Sequence, residues 1–237
     1  MKKLFVFLVI LPQLLLAQNS TVMQSWNELG LGLKFDKRQS VGLNLTTRFD
    51  VTGLQTIFPQ VSYKYKVNKY FRPSLDYRLI GNRSQEGNYI LQHRLNANLQ
   101  FNHQIQKFDL GLRVRYQFSS SRFGQSYEPE FNDAFRFKPE IAYNLPNSIL
   151  TPTCGMELFY NPMNGQNGYQ LNRIRWNVGV SIDLDKAGEL EVAYLYDQRI
   201  NVPEALNRAI LNIGYSYALD AKDFKKKSKG TKSRCWL

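Results

Sequence analysis

Arginine recurs in this 237-residue sequence at positions that alternate with apolar side chains. Arg113 and Arg115 flank Val114, and Arg173 and Arg175 flank Ile174; Arg48, Arg72, Arg78, Arg94 and Arg136 each adjoin an apolar or aromatic residue. Carboxylates follow the same rule at Glu28, Asp50, Asp76, Asp109, Glu157 and Glu191. On an extended chain successive side chains point to opposite faces, so the charges share one face and their greasy neighbours the other. Two chemistries fit such a polar face. Buried charges demand partners, so guanidiniums and carboxylates can brace one another in a network. A surplus of guanidiniums can instead line a passage that prefers anions. Along this parity thirteen cations (the nine arginines with Lys34, Lys64, Lys66 and Lys138) face ten acids, the six above with Glu140, Asp183, Glu189 and Asp197. That near-balance favours the network.

Covalent and acid–base chemistry has few candidates. A lipase-like site needs Ser with His and an acid or amide. The sequence has two histidines, His93 and His103. His93 falls on the apolar face, with Leu95 rather than a serine two residues on, and His103 lies in a short turn with no Ser or acid nearby. Neither a Gly-rich phosphate loop nor a nucleophile elbow is present. Cys154 and Cys235, one in an alternating segment and one in the tail, have no metal-ligand spacing and are not expected to pair. The expectation is no catalytic site, no cofactor and no metal.

The elements that must position the charges are β-strands. In Val41–Val51 the apolar row is Val41, Leu43, Leu45, Phe49 and Val51, and Arg48 and Asp50 lie on the other face. The same alternation marks Trp26–Phe35, Phe58–Val67, Phe71–Gly81, Tyr89–Phe101, Phe108–Phe118, Ala134–Tyr143, Leu150–Tyr160, Tyr169–Leu184, Glu189–Asp197 and Ala209–Leu219. Pairing Phe35 with Val41 predicts Glu28 opposite Arg48, and pairing Ile141 with Pro152 predicts Arg136 opposite Glu157. Short and long connections alternate, with Thr52–Ile57 intermediate. Short turns at one rim and long loops at the other, with apolar rows outside and polar rows inside, predict a transmembrane antiparallel up-and-down β-barrel in an all-β fold. Eleven segments can be counted, but single-chain bacterial barrels carry even numbers. Ten to twelve strands are open and twelve favoured, with residues near Asn19–Ser25 supplying part of the twelfth.

The ends have their own character. Lys2 and Lys3, the apolar run Leu4–Leu16 broken at Pro12 and Gln13, and Ala17 predict an export signal over residues 1–17. The barrel is then 18–219. The tail, 220–237, carries six Lys and one Arg against two Asp and is expected to be a disordered periplasmic segment, open to an anionic surface or a partner. Export argues against nucleic acid despite the net charge of +12. Fifteen Phe, fourteen Tyr and three Trp supply aromatic girdles. Lumen residues lower mean hydropathy, so a value of -0.41 does not count against a membrane barrel.

The last alternating segment reads NIGYSYAL. Asn212, Gly214, Tyr217 and Leu219 resemble the terminal-strand signal read by the outer-membrane barrel assembly machinery, although eighteen residues follow Leu219. Trp26 before the first hairpin, Thr46–Arg48, the His93–Arg94 step and the Arg113–Arg115 pair together resemble domain of unknown function 2490, a Gram-negative family. That resemblance implies an outer-membrane β-barrel and brings no activity. The reading is an integral barrel in outer-membrane lipid with an arginine-rich, ion-paired lumen, structural or a narrow pore. An anion-preferring porin, a soluble lipocalin-like barrel with its apolar face turned inward, and a lipid-modifying barrel enzyme are the alternatives.

Overall fold

The computed structural model describes residues 21–84, 86–120, 133–162, 171–202 and 205–220. The predicted export signal and all of the tail but Asp220 lie outside them. The described chain is strand after strand: β1 (Thr21–Lys34), β2 (Gln39–Asp50), β3 (Gly53–Tyr65), β4 (Phe71–Arg83), β5 (Tyr89–Ile105) and β6 (Phe108–Ser120). Then come β7 (Asp133–Tyr143), β8 (Leu150–Tyr160), β9 (Leu171–Asp183), β10 (Glu189–Arg199) and β11 (Asn207–Asp220). Each pairs with the next, and β1 pairs with β11, so the sheet closes into a barrel without an edge. No described helix is long and apolar enough to cross a membrane.

Eleven strands lie among the described residues; Asn19 and Ser20 of the expected twelfth lie outside them. Thr21–Ser25 instead extends β1 beyond its expected start at Trp26. An up-and-down chain with an odd number of strands ends with its last strand parallel to its first. The closing pair is accordingly parallel, unbroken from Thr21↔Asn207 to Lys34↔Asp220. The two strand termini therefore lie at opposite rims. Thr21 starts beside the β10–β11 connection, and Asp220 finishes at the rim of the β1–β2 turn.

Local chemistry sets the turns. Asp36 accepts the backbone N–H groups of Arg38 and Gln39 at 2.6 and 2.7 Å, closing the β1–β2 turn. Asn68 does the same for Tyr70 and Phe71 at 2.8 and 2.9 Å between β3 and β4. Both are side-chain-capped turns of the kind Asp and Asn favour. Between β2 and β3 only Val51 and Thr52 intervene, with Gly53 at φ +110°. The expected intermediate loop is thus a tight turn, and β3 begins well before Phe58.

The apolar rows face outward. Leu29, Leu75 and Val178 are each 60% exposed, and most large apolar side chains of the strands share that face. Outward rings pair across strands near both rims: Phe71 with Phe101, Phe108 with Tyr143, and Tyr116 with Phe135, each with centroids 5.0 Å apart. Inside lie Asp76, Asn96, Arg115, Arg136, Glu157 and Asp197, all buried, with a few apolar side chains among them. A lipocalin-like arrangement would need the apolar rows inside, the reverse of this barrel.

The parallel closure is directly testable. With Cys154 and Cys235 replaced by Ser, Leu31→Cys and Tyr217→Cys should cross-link on mild oxidation, because these residues are register partners. Non-reducing electrophoresis reads the bond. A barrel of ten or twelve strands would separate the two positions and leave them reduced.

Candidate functional site

The inward faces enclose a cavity of about 540 Å³. Its lining holds twelve cations: Arg48, Lys64, Arg72, Arg78, Arg94, Arg113, Arg115, Arg136, Lys138, Arg173, Arg175 and Arg208. Four carboxylates accompany them: Glu28, Asp76, Glu157 and Glu191. The lining is thus richer in cations than the balance read along the sequence, although Asp197 and Glu140, outside the lining, pair with Arg173, Arg175 and Lys138.

One ion-pair chain crosses five consecutive strands. Glu157 on β8 accepts Nη2 and Nε of Arg136 at 2.8 and 3.1 Å, and Nη2 of Arg113 at 2.8 Å. Arg175, directly opposite Glu157 on β9, places Nη1 at 3.6 Å from it. Arg175 also lies directly opposite Asp197 on β10, donating Nη2 at 2.9 Å and a second bond from Nε. Arg173 adds Nη1 to Asp197 at 3.2 Å. A second group joins β4, β5 and β6: Asp76 accepts Arg115 Nη2 at 3.1 Å and Asn98 Nδ2 at 2.9 Å, and Arg115 Nε donates to Asn98.

Aromatic rings share the polar face. Trp26 has the Arg48 guanidinium 3.9 Å from its ring centroid and that of Arg175 at 4.8 Å. Phe58 has Arg48 and Arg78 each at 5.1 Å, and Phe159 has Arg136 at 4.5 Å. The ring quadrupole attracts these cations where water is scarce, so each arene partly does the work of a counter-ion. Phe58 and Phe159 were not singled out from sequence as lumen residues, and Trp26 only for the family resemblance. Parity alone carried the signal, since Trp26 is in phase with Glu28, Phe58 with Gln60, and Phe159 with Glu157. Asp197 was counted among the acids without being singled out, yet it is only 1% exposed.

Two expected registers are corrected. Glu28 stands opposite Thr46, and Arg48 opposite Trp26. The Asp36-capped turn pairs Leu33, not Phe35, with Val41, shifting the hairpin by two residues. Arg136 stands opposite Phe159, because Ile141 pairs with Cys154. Its long side chain still reaches Glu157 along the diagonal.

The other predicted charges are spread out. Asp50 is at the β2–β3 turn, accepting Thr52 N–H at 2.7 Å and Gln55 Nε2 at 3.0 Å, so it does not join the cluster. Asp109, near the opposite rim, accepts Asn144 Nδ2 at 2.7 Å. Arg94 donates Nε to Ser119 at 3.0 Å, and Arg78 donates Nε to Gln60. Glu28 and Glu191 flank Gly214, their register partner on β11. Glu191 feels Lys138, Glu28, Glu140 and Glu189 electrostatically, which makes this part of the lumen less positive than the rest. Of the terminal-strand residues, Asn212 is buried inside, Tyr217 is exposed outside, and Leu219 is next to the end of β11. Among the described residues no group of three or more His, Cys, Asp or Glu is placed to hold a metal ion.

The family described as a protein of unknown function (DUF2490) matches residues 23–208, and the chain belongs to it. The match takes in Trp26, Arg48, both arginine pairs, Glu157 and Asp197, and stops short of Asn212–Leu219. A search of curated proteins finds no match.

Removing a carboxylate that serves three guanidiniums leaves buried charges uncompensated. Glu157→Gln should therefore cost about 3–5 kcal/mol of barrel stability. Asp50→Asn, at the rim, should cost less than about 1 kcal/mol. Urea unfolding in detergent micelles, followed by tryptophan fluorescence, measures both; equal effects would remove Glu157 from its central place.

Proposed function

We propose that the chain is an integral β-barrel of a Gram-negative outer membrane whose narrow, arginine-lined lumen admits small anions in preference to cations. The observation that carries this reading is the cavity lining, with its twelve cations and four carboxylates. Rings of cationic side chains at a constriction lower the energy of an anion and raise that of a cation. Pairing with Glu157, Asp197 and Asp76 uses part of this charge to brace the wall. The remainder faces the cavity.

Support for the membrane comes from the outer face. Side chains such as Leu29, Leu75, Leu91, Leu95 and Val178 are more than half exposed. Each apolar Å² left in water forgoes about 25 cal/mol, so a belt of this extent calls for a hydrocarbon environment. A closed barrel also leaves no strand edge unpaired in lipid. Export through residues 1–17 and insertion by the barrel assembly machinery through β11 complete the proposal. The reading is of a conducting or binding barrel, not an enzyme. His93 sits on the outer face with its Nδ1 2.7 Å from the Tyr77 hydroxyl, an arrangement suited to an interfacial side chain.

Two measurements test this. Purified protein in a planar bilayer under a potassium chloride gradient should give small discrete channels with an anion-selective reversal potential, reduced in the Arg78→Gln/Arg113→Gln double variant. Absence of discrete channels would sink the conduction and leave a braced, closed lumen. With the short turns periplasmic, an epitope placed just before Thr21 should bind antibody on intact cells. One placed after Asp220 should bind only after permeabilisation. Both epitopes on one side would contradict the odd-stranded topology, and recovery of the protein in the soluble periplasm would end the membrane reading.

A further inference from the structure

Two of the lumen arginines keep bonding capacity that no described residue uses. Arg78 donates Nε to Gln60 and lies over Phe58; its terminal nitrogens meet no partner among the described residues. Arg113 gives Nη2 to Glu157 at 2.8 Å, while its Nε is buried without a partner. The two feel one another electrostatically, and both feel Arg115 and Arg136. Four guanidiniums thus share a region with two contacting carboxylates, Asp76 and Glu157. Glu157 is shared again with Arg175. Glu28 acts on Arg78 at longer range, without a contact. The Arg173–Asp197–Arg175 group differs, since its carboxylate is wholly enclosed by donors from both arginines.

A concentration of like charge in a restricted space is unfavourable unless something compensates it. Side chains already compensate part of it here, and the rest faces the cavity. A guanidinium presents its N–H groups as a planar fork, which matches two oxygens of one acceptor better than it matches a spherical halide. We infer that the Arg78–Arg113 cluster is a binding site for a small oxyanion of the carboxylate or phosphate class. Arg78 and Arg113 supply the hydrogen bonds, and Arg115 and Arg136 supply charge from the wall. The inference deepens the proposed anion preference, but needs only a cationic lumen and not conduction through it.

The test is isothermal titration of the full-length protein, folded in a phosphate-free detergent micelle, with inorganic phosphate and separately with acetate. One saturable site per chain is expected, and the tighter of the two anions identifies the class. Arg78→Gln and Arg113→Gln should each weaken binding by about tenfold or more, the range for a hydrogen bond to a charged group. Arg78→Lys, which keeps charge but loses the fork, should fall between wild type and Arg78→Gln. Arg38→Gln, in the β1–β2 turn, should leave binding unchanged. Arg113→Gln keeps Glu157 paired with Arg136 and Arg175, so it supplies a folded variant even if Arg78→Gln does not assemble. No saturable binding of either anion by the wild type, or undiminished binding by both glutamine variants, overturns the site. Saturable binding by a protein that forms no channels would uphold the site and refute conduction; anion-selective channels without saturable binding would do the reverse.

Discussion

Arg175 holds two carboxylates at once, and the order of the inner wall depends on that contact. Its register partners are Glu157 on one side and Asp197 on the other, so the guanidinium bridges β8, β9 and β10. Glu157 extends the link to β7 and β6 through Arg136 and Arg113. Five neighbouring strands are therefore tied by side chains as well as by their ladders. In a barrel with an apolar exterior this matters more than in a two-layer sheet, because the interior has only a small apolar cluster of Trp26, Ala193, Leu195 and Ile210 to help hold it. Polar groups must be satisfied inside, and each charge pair must recover the desolvation of both partners.

The opposite wall is built differently. Along β2 to β5 the inward residues are largely amides and hydroxyls, such as Asn44, Thr46, Gln60, Ser62, Asn82 and Gln92. Two of the arginines there lean on rings, Arg48 on Trp26 and Phe58, and Arg78 on Phe58, whereas Arg94 donates to Ser119. A cation held by a ring quadrupole keeps much of its field, whereas one held by a carboxylate is largely cancelled. Arg78, bonded to an amide and lying over a ring, accordingly keeps more of its field than Arg136, which also lies over a ring but holds Glu157.

Sequence alone made the period-two alternation readable, because one face of each strand is largely apolar and turned outward and the other is largely polar and turned inward. Strand identity, the inward set of charges and the alternation of turns followed from it. Register was less accessible. It depends on how tightly each turn closes, and the Asp36 cap moved Arg48 from Glu28 to Trp26 without altering parity. The odd strand count was visible but discounted, since parallel closure leaves no mark in either strand's own pattern. Depth along the lumen was hidden as well. Asp50 and Asp109 have the same parity as Asp76 and Glu157, yet lie near the rims because parity fixes a face and not a height.

Height and contact together divide the arginines into two kinds. Arg115 and Arg136 are nearly buried, with side chains 6% and 9% exposed, and each is hydrogen-bonded to a carboxylate and an amide. Such residues behave as wall: losing Arg115 takes the ion-pair partner of Asp76 among the described residues, and losing Arg136 takes two of the bonds that Glu157 accepts. Arg113 is 26% exposed along its side chain and shares its carboxylate with two other donors. Arg78 contacts an amide and a ring but no carboxylate among the described residues. These two can lose their charge without leaving an orphan, so they are the positions where electrostatics can be varied apart from folding. A lumen arginine's role is thus read from its burial and from the bonds its partners would lose with it, not from the presence of the guanidinium itself.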